Sequence, residues 1–185
     1  MITPKMAGFK VFHSDPPAFV KVMVTDVLES EVSGDVVVDG QHVNGFGISP
    51  LVVEGLGPGD TVELTISASG MVGVKQFHAR IRALPEEAFN LLETTFSQNS
   101  AAFTISPGVE FPTGSTVQTG AATFGAAVEG TTTLGTFTFT MANTYTGVPA
   151  ILVVDEISIG PNSTNRDVFD SGELGLSLLL NHQSE

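Results

Sequence analysis

Residues 57–84, GPGDTVELTISASGMVGVKQFHARIRAL, carry two long runs of alternating apolar and polar side chains. That alternation limits the possible folds more than any other stretch does. In the first run Val62, Leu64, Ile66 and Ala68 leave one face, while Thr61, Glu63, Thr65 and Ser67 leave the other. In the second, Phe77, Ala79, Ile81 and Ala83 alternate with Gln76, His78, Arg80 and Arg82. A period of two marks half-buried antiparallel strands, whose successive side chains point to opposite faces. Gly70 and Gly73, with the small Ser67, Ala68 and Ser69, predict a turn that reverses the chain between the two strands.

The rest of the chain repeats this theme in shorter pieces. Residues 19–28, FVKVMVTDVL, predict a strand with apolar side chains on both faces. Residues 36–43, VVVDGQHV, predict a hairpin around Asp39-Gly40, a dipeptide that accepts the positive φ of a tight turn. Residues 50–56 predict a further strand before the Gly57-Pro58-Gly59-Asp60 turn. Pro85, Glu86 and Glu87 suit the first turn of a short helix over about residues 85–90, with acids at its positive end. LLETTFS, AAFTIS, VQTGAATFG, TLGTFTFTMAN, AILVVDEISIG and ELGLSLLL then follow as strands between turn clusters. Short strands with Gly, Pro and Asn punctuation predict an all-β sandwich or barrel.

At 185 residues the chain suits one domain and can bury a core without staples. We expect an N-terminal arm over 1–18, ended by Asp15-Pro16-Pro17, and a single sandwich domain over 19–185. Cysteine is absent, which excludes disulfides and thiolate metal sites. The formal charge of −13 repels phosphate backbones and anionic lipid, so nucleic acid is a poor partner. No apolar run approaches the roughly 20 residues that span a bilayer, so no membrane insertion is expected. The first residues also lack the apolar stretch of a signal peptide.

The order of these features resembles a cohesin-type module over about residues 50–182. Gly57-Pro58-Gly59-Asp60, Phe77, Leu84-Pro85-Glu86 and Leu134-Gly135-Thr136-Phe137-Thr138-Phe139 hold the places of the family's turn, aromatic strand, second turn and late strand. The second turn departs from the family's Tyr-Asp-Pro, and residues 19–49 add a strand and hairpin beyond a minimal cohesin. Residues 36–60 also resemble a small surface-protein repeat with a DG, G and GLxPG pattern. The cohesin resemblance implies a jelly-roll β-sandwich of about nine core strands, exported, that binds a protein partner or assembles and does no catalysis. Cohesins proper bind dockerins, but the matching motifs carry no contact residues over to this chain.

Motifs of chemistry are sparse. His13, His42, His78 and His182 are scattered, with no metal-binding pair at helical spacing, and Gly45-Phe46-Gly47 is too short to cradle a phosphate. Glu29, Glu31, Glu110 and Glu129 are the carboxylates from which a glycosidase pair would be drawn, though any acidic sandwich offers such pairs. The cation candidate is the loop after Gly160, where Asn162, Asn165, Asp167, Asp170 and Glu173 offer oxygen ligands to Ca²⁺. The same Asn and Asp side chains could instead cap their own turns. Asn162-Ser163-Thr164 is also a glycosylation sequon.

Two strand faces stand out. Thr136, Thr138 and Thr140 form a hydroxyl ladder, either an ordinary solvent face or one that meets ice or carbohydrate. Gln76, His78, Arg80 and Arg82 form a stripe that holds two of the chain's three arginines. That stripe is expected either to pair with acids such as Glu63 or to dock an acidic neighbour. In the arm, Phe9, Val11 and Phe12 would dock on a sheet edge, either the chain's own or a neighbour's. These features predict a non-enzymatic extracellular or cell-surface assembly protein, self-associating as a homo-oligomer or polymer through the arm and the stripe. The alternative is a carbohydrate-binding or partner-protein-binding module. No cofactor is required, and Ca²⁺ is the one ion considered.

Overall fold

A computed structural model describes the backbone of residues 9–12, 19–22, 31–38, 41–42 and 51–53, and residues 55–171 and 177–181, with the side chains of 69, 70, 112 and 113 left aside. In chain order the strands are β1 (Phe9–Phe12), β2 (Phe19–Val22), β3 (Glu31–Val38), β4 (Gln41–His42), β5 (Leu51–Val53), β6 (Thr61–Val74) and β7 (Gln76–Leu84). They continue as β8 (Thr95–Gln98), β9 (Val109–Thr113), β10 (Thr116–Ala122), β11 (Val128–Thr140), β12 (Ala150–Gly160), β13 (Asp167–Asp170) and β14 (Ser177–Leu180). Sheet A has the order β1-β2-β3-β6-β11-β8, with β4 paired to β3. Sheet B has the order β5-β14-β12-β7-β10-β9, with β13 paired to β12.

β6 and β7 alternate as their sequences require, but they are not a hairpin. β6 runs straight through Gly70 and Gly73 to Val74 in sheet A, and β7 starts at Gln76 in sheet B. Lys75 alone bridges them. Its N–H donates to the Gly160 carbonyl of β12 and its carbonyl accepts from Thr123 N–H, so the crossing is already tied to sheet B. Gly73 at φ +68 faces a strand that is itself interrupted at Gly130, φ +74, where the β6–β11 register shifts. Bulges of this kind bend a strand and sharpen its twist, which lets the chain turn a corner between sheets without reversing. The Gly-Ser stretch that looks like a hairpin turn is that corner.

Of the two edges open to the arm, the chain's own or a neighbour's, the structure describes pairing within the chain. β1 lies antiparallel to β2 of its own chain, with Phe9 opposite Val22 and Phe12 opposite Phe19. β2 pairs with β3 and β3 with β6, so this N-terminal part extends sheet A sideways. Val37↔His42 and Val38↔Gln41 close the expected hairpin at Asp39-Gly40. The short helix is replaced by two 3-10 turns, Glu86–Ala88 and Leu91–Glu93, before β8. Residues 101–106 make a turn and a single bridge, Ile105↔Ala122, rather than a strand.

The core fills the space between the sheets. Val62, Leu64, Ile66 and Ala68 from β6 and Phe77, Ala79, Ile81 and Ala83 from β7 are all buried, as are Phe137, Phe139 and Ile157. Leu174 and Leu176, at the start of the expected strand ELGLSLLL, lie outside the described residues. A chain of rings ties the layers together. Phe77 of sheet B meets Phe103 edge-on at 4.8 Å and Phe96 of sheet A at 6.0 Å. Phe96 meets Phe137 at 4.7 Å, and Phe137 stacks on Phe139 at 6.0 Å. Gly135 keeps that cluster closed, because a Cβ there would stand 2.3 Å from Phe96 Cζ.

Phe139 has no exposed surface and sits in this cluster. Phe139→Ala is expected to destabilise the fold by about 3–5 kcal/mol in chemical denaturation, because the cavity cannot collapse between two rigid sheets.

Candidate functional site

The outer face of sheet B gathers the stripe that the sequence singles out. On β7 the side chains of Gln76, His78, Arg80 and Arg82 point away from the core, between the buried Phe77, Ala79, Ile81 and Ala83. Their partners come from β12. Between Val154↔Ile81 and Glu156↔Arg80 the register shifts, and Asp155 is the extra residue. This bulge puts Asp155 and Glu156 on the outer side in succession, and restores Ile157 and Ile159 to the core.

Both acids meet the stripe directly. Arg82 Nη2 donates to Asp155 Oδ1 at 2.8 Å. Arg80 Nη1 lies 3.6 Å from Glu156 Oε2, and His78 Nδ1 lies 3.6 Å from Glu156 Oε1. The Nε of Arg82 is buried with no acceptor, so the guanidinium is held by one end only. These residues are half-exposed, so each pair adds little stability by itself, but together they set the direction of the side chains. Glu63, the acid expected to pair with the stripe, stands on β6 in the other sheet, across from Thr138. The pairing acids come instead from a neighbouring strand more than seventy residues along.

Apolar residues flank this charged centre. At one end Leu84, Ile151 and Leu179 sit in one row across β7, β12 and β14. Leu84 is 37% exposed. At the other end Val168 faces outward beside Ser158, and just beyond β10 Phe124 is 87% exposed. Lys75 reaches the Gly125 carbonyl and anchors the loop that carries Phe124. The four basic residues whose side chains are described, Lys75, Arg80, Arg82 and Arg166, all lie on sheet B or at its margin. Gln76, His78, Arg80 and Arg82 on this face are half-exposed.

The sequence already hints at part of this. Two consecutive acids inside an apolar strand, Val153-Val154-Asp155-Glu156-Ile157, break the period of two and mark a bulge. Phe124 and the row of Leu84, Ile151 and Leu179 leave no such mark, since only strand order brings them onto one face.

The other candidates resolve differently. Asp167 lies opposite Ile159 and Asp170 opposite Glu156, so the two stand roughly 10 Å apart along β13 and cannot share one ion. Asn162 Oδ1 accepts hydrogen bonds from Thr164 N–H, Thr164 Oγ1 and Asn165 N–H, which occupies it in capping its own turn. Glu173 lies outside the described residues, and among those described no group of three or more His, Asp or Glu could hold a metal ion. Around Asn162 the loop caps its own turn, the second of the two readings that the sequence offers. Glu110 accepts from Gln118 and Glu129 accepts from Gly73 N–H, one on each sheet, and they form no carboxylate pair. In the hydroxyl ladder Thr136 Oγ1 lies 2.7 Å from Thr65 Oγ1 across the strands, and beside the ladder Ser67 Oγ lies 3.1 Å from Thr133 Oγ1. Phe9, Val11 and Phe12 are described by backbone only, and His13 and His182 lie outside the described residues.

Two packed sheets, antiparallel throughout except where β5 runs parallel to β14, define a jelly-roll class of sandwich. Solved structures narrow that class. A cohesin module from a family 33 glycoside hydrolase of Clostridium perfringens matches at TM-score 0.50 and 16% identity, over 81% of this chain and 98% of that one. A cohesin in a cohesin–dockerin complex from Clostridium thermocellum matches at TM-score 0.47 and 11% identity, over 80% and 96% of the two chains. A non-cellulosomal cohesin from Archaeoglobus fulgidus matches at 0.46 and 11%, over 66% and 80%. No protein-family model and no curated protein matches the chain. In fold, this protein is a cohesin-like domain.

Burial is the main cause that holds the His78 pKa below its usual 6.5; Arg80 and Arg166 push the same way, and Glu156 and Gln118 oppose them. The unfolded chain therefore binds this proton more readily, so stability is full above pH 6.5 and falls as pH drops below it through the folded pKa. The melting temperature is expected to decline as pH is lowered from about 6.5 toward 5, above the range in which ordinary carboxylates titrate, and His78→Gln to flatten that decline. In the same assay, chelator and millimolar calcium are expected to leave the melting curve unchanged.

Proposed function

We propose that this protein is a non-catalytic module that binds another protein on the outer face of sheet B. The observation that carries this reading is the make-up of that face. A centre of two ion pairs, Arg82–Asp155 and Arg80–Glu156, with His78 beside Glu156, lies between apolar ends formed by Leu84, Ile151 and Leu179 on one side and Phe124 on the other. A flat sheet face of this composition offers a partner apolar contact and charges whose geometry is already set. An aromatic ring as exposed as Phe124 is the kind of side chain that carries a large share of binding energy once desolvated. The cohesin-like fold supports the same reading, because modules of that fold bind rather than catalyse.

A polysaccharide-binding face fits less well. Such faces present aromatic platforms to sugar rings, and this chain has no tryptophan. Its single tyrosine, Tyr145, is 5% exposed and spends its hydroxyl on the Val148 carbonyl and the Asn181 amide.

The test is titration against a panel of dockerin modules and, in parallel, against insoluble polysaccharides. Phe124→Asp and Ile151→Asp are each expected to weaken protein binding about tenfold or more while the melting temperature holds. Retention on polysaccharide without affinity for any protein, or equal binding by the face variants, would overturn the reading.

A further inference from the structure

The loop between β12 and β13 carries a motif that the partner-binding reading leaves unused. Of the chain's asparagines, only Asn162 has a hydroxyl residue two positions on with no proline between, in Asn162-Ser163-Thr164. Asn99 and Asn143 have their Ser and Thr one position on, and Asn165, in the same loop, is followed by Arg166 and Asp167.

The fold holds this motif out from the domain. β12 ends at Gly160 and β13 begins at Asp167, with Ile159 opposite Asp167, so residues 161–166 are the tip of a hairpin. Every residue of that tip is exposed. Its base is closed tightly, because a Cβ on Gly160 would stand 2.4 Å from the Asn165 carbonyl oxygen, an approach that only glycine admits. Pro161 fixes its own φ and stiffens the entry to the tip. An enzyme can therefore reach Asn162 on the folded protein without opening a strand.

The side chain of Asn162 is also arranged for attack by its nitrogen. Oδ1 accepts from Thr164 Oγ1 at 2.7 Å, from Asn165 N–H at 2.8 Å and from Thr164 N–H at 3.0 Å. Three donors on the carbonyl oxygen stabilise negative charge there, which makes the amide N–H more acidic and the nitrogen a better nucleophile. Nδ2 itself has no hydrogen-bond partner among the described residues. The hydroxyl two positions on thus has a physical task, since the shortest of the three bonds is the one it donates.

We propose that Asn162 is a site of N-linked glycosylation. The substrate is an activated sugar whose anomeric carbon bears a phosphate, carried on a lipid or on a nucleotide. Nδ2 forms a bond to the anomeric carbon, the bond from that carbon to the phosphate oxygen breaks, and the phosphate leaves with the electron pair. One Nδ2 proton passes to a base of the transferase. The inference does not rest on the outer face of sheet B, and either can fail without the other.

Mass spectrometry of the chain isolated from the cells that naturally make it is the test. A glycan mass is expected on Asn162, with Asn165 bare as the control within the same loop. Made in those cells, Asn162→Gln and Thr164→Ala should lose the glycan and remain folded by circular dichroism, since both positions are exposed. Thr164→Ser should keep it, because the serine hydroxyl still donates to Oδ1. Blocking synthesis of lipid-linked donors removes the glycan if the carrier is a lipid and leaves it if the carrier is a nucleotide. A bare Asn162 in the native protein, or a glycan that survives Thr164→Ala, would overturn the proposal.

Discussion

The fold depends on one contact between layers, the ring cluster in which Phe77 of sheet B meets Phe103 and Phe96, and Phe96 meets Phe137 of sheet A. A sandwich has no covalent link between its sheets beyond the crossings of the chain, and this one has no disulfide. Interdigitated apolar side chains must therefore set the sheet separation and the relative rotation. The close approach of Phe96 to Gly135 shows how tightly the cluster is dimensioned. Everything outside it, including the direction in which each outer face looks, follows from that packing.

The core alternation also explains why the outer face of sheet B is structured rather than merely polar. Every buried residue on β7 commits its neighbour to the outside, so His78, Arg80 and Arg82 have no choice of face. The bulge in β12 then brings two acids to the same side, where strict alternation would have buried one of them. A buried carboxylate without a partner is costly, whereas a bulge costs only a local disturbance of the ladder. The bulge thus relieves a conflict in the sequence and, by the same step, orders the side chains of the candidate site. The N-terminal strands act at a different place. They lengthen sheet A sideways and move its open edge away from the core, so the cohesin-like sandwich keeps its faces while gaining a new edge.

Much of this was legible in the sequence, because alternation is a local property. The buried residues of β6, β7 and β11 can be read off a period of two, and the turn chemistry of Asp39-Gly40 and Gly57-Pro58-Gly59-Asp60 marks where strands end. The all-β class and the cohesin likeness follow from the same signals. The stripe of His78, Arg80 and Arg82 was also legible, since an outward face needs only the opposite phase.

Only the tertiary structure decided which strands lie side by side. Alternation is the same in either sheet, so it could not tell that β6 and β7 belong to different layers or that Lys75 is the crossing between them. Pairing joins residues far apart in the chain, so the acids that meet the stripe are Asp155 and Glu156 and not Glu63. Distance along a strand also separates two carboxylates of the cation candidate. Asp167 and Asp170 look clustered in sequence, but an extended strand of roughly 3.3 Å per residue pulls them apart. Local patterning determined what each residue faces, inside or outside, because that depends on its own strand alone. What each residue touches depends on register with distant strands, and that was decided when the two sheets closed on their shared core.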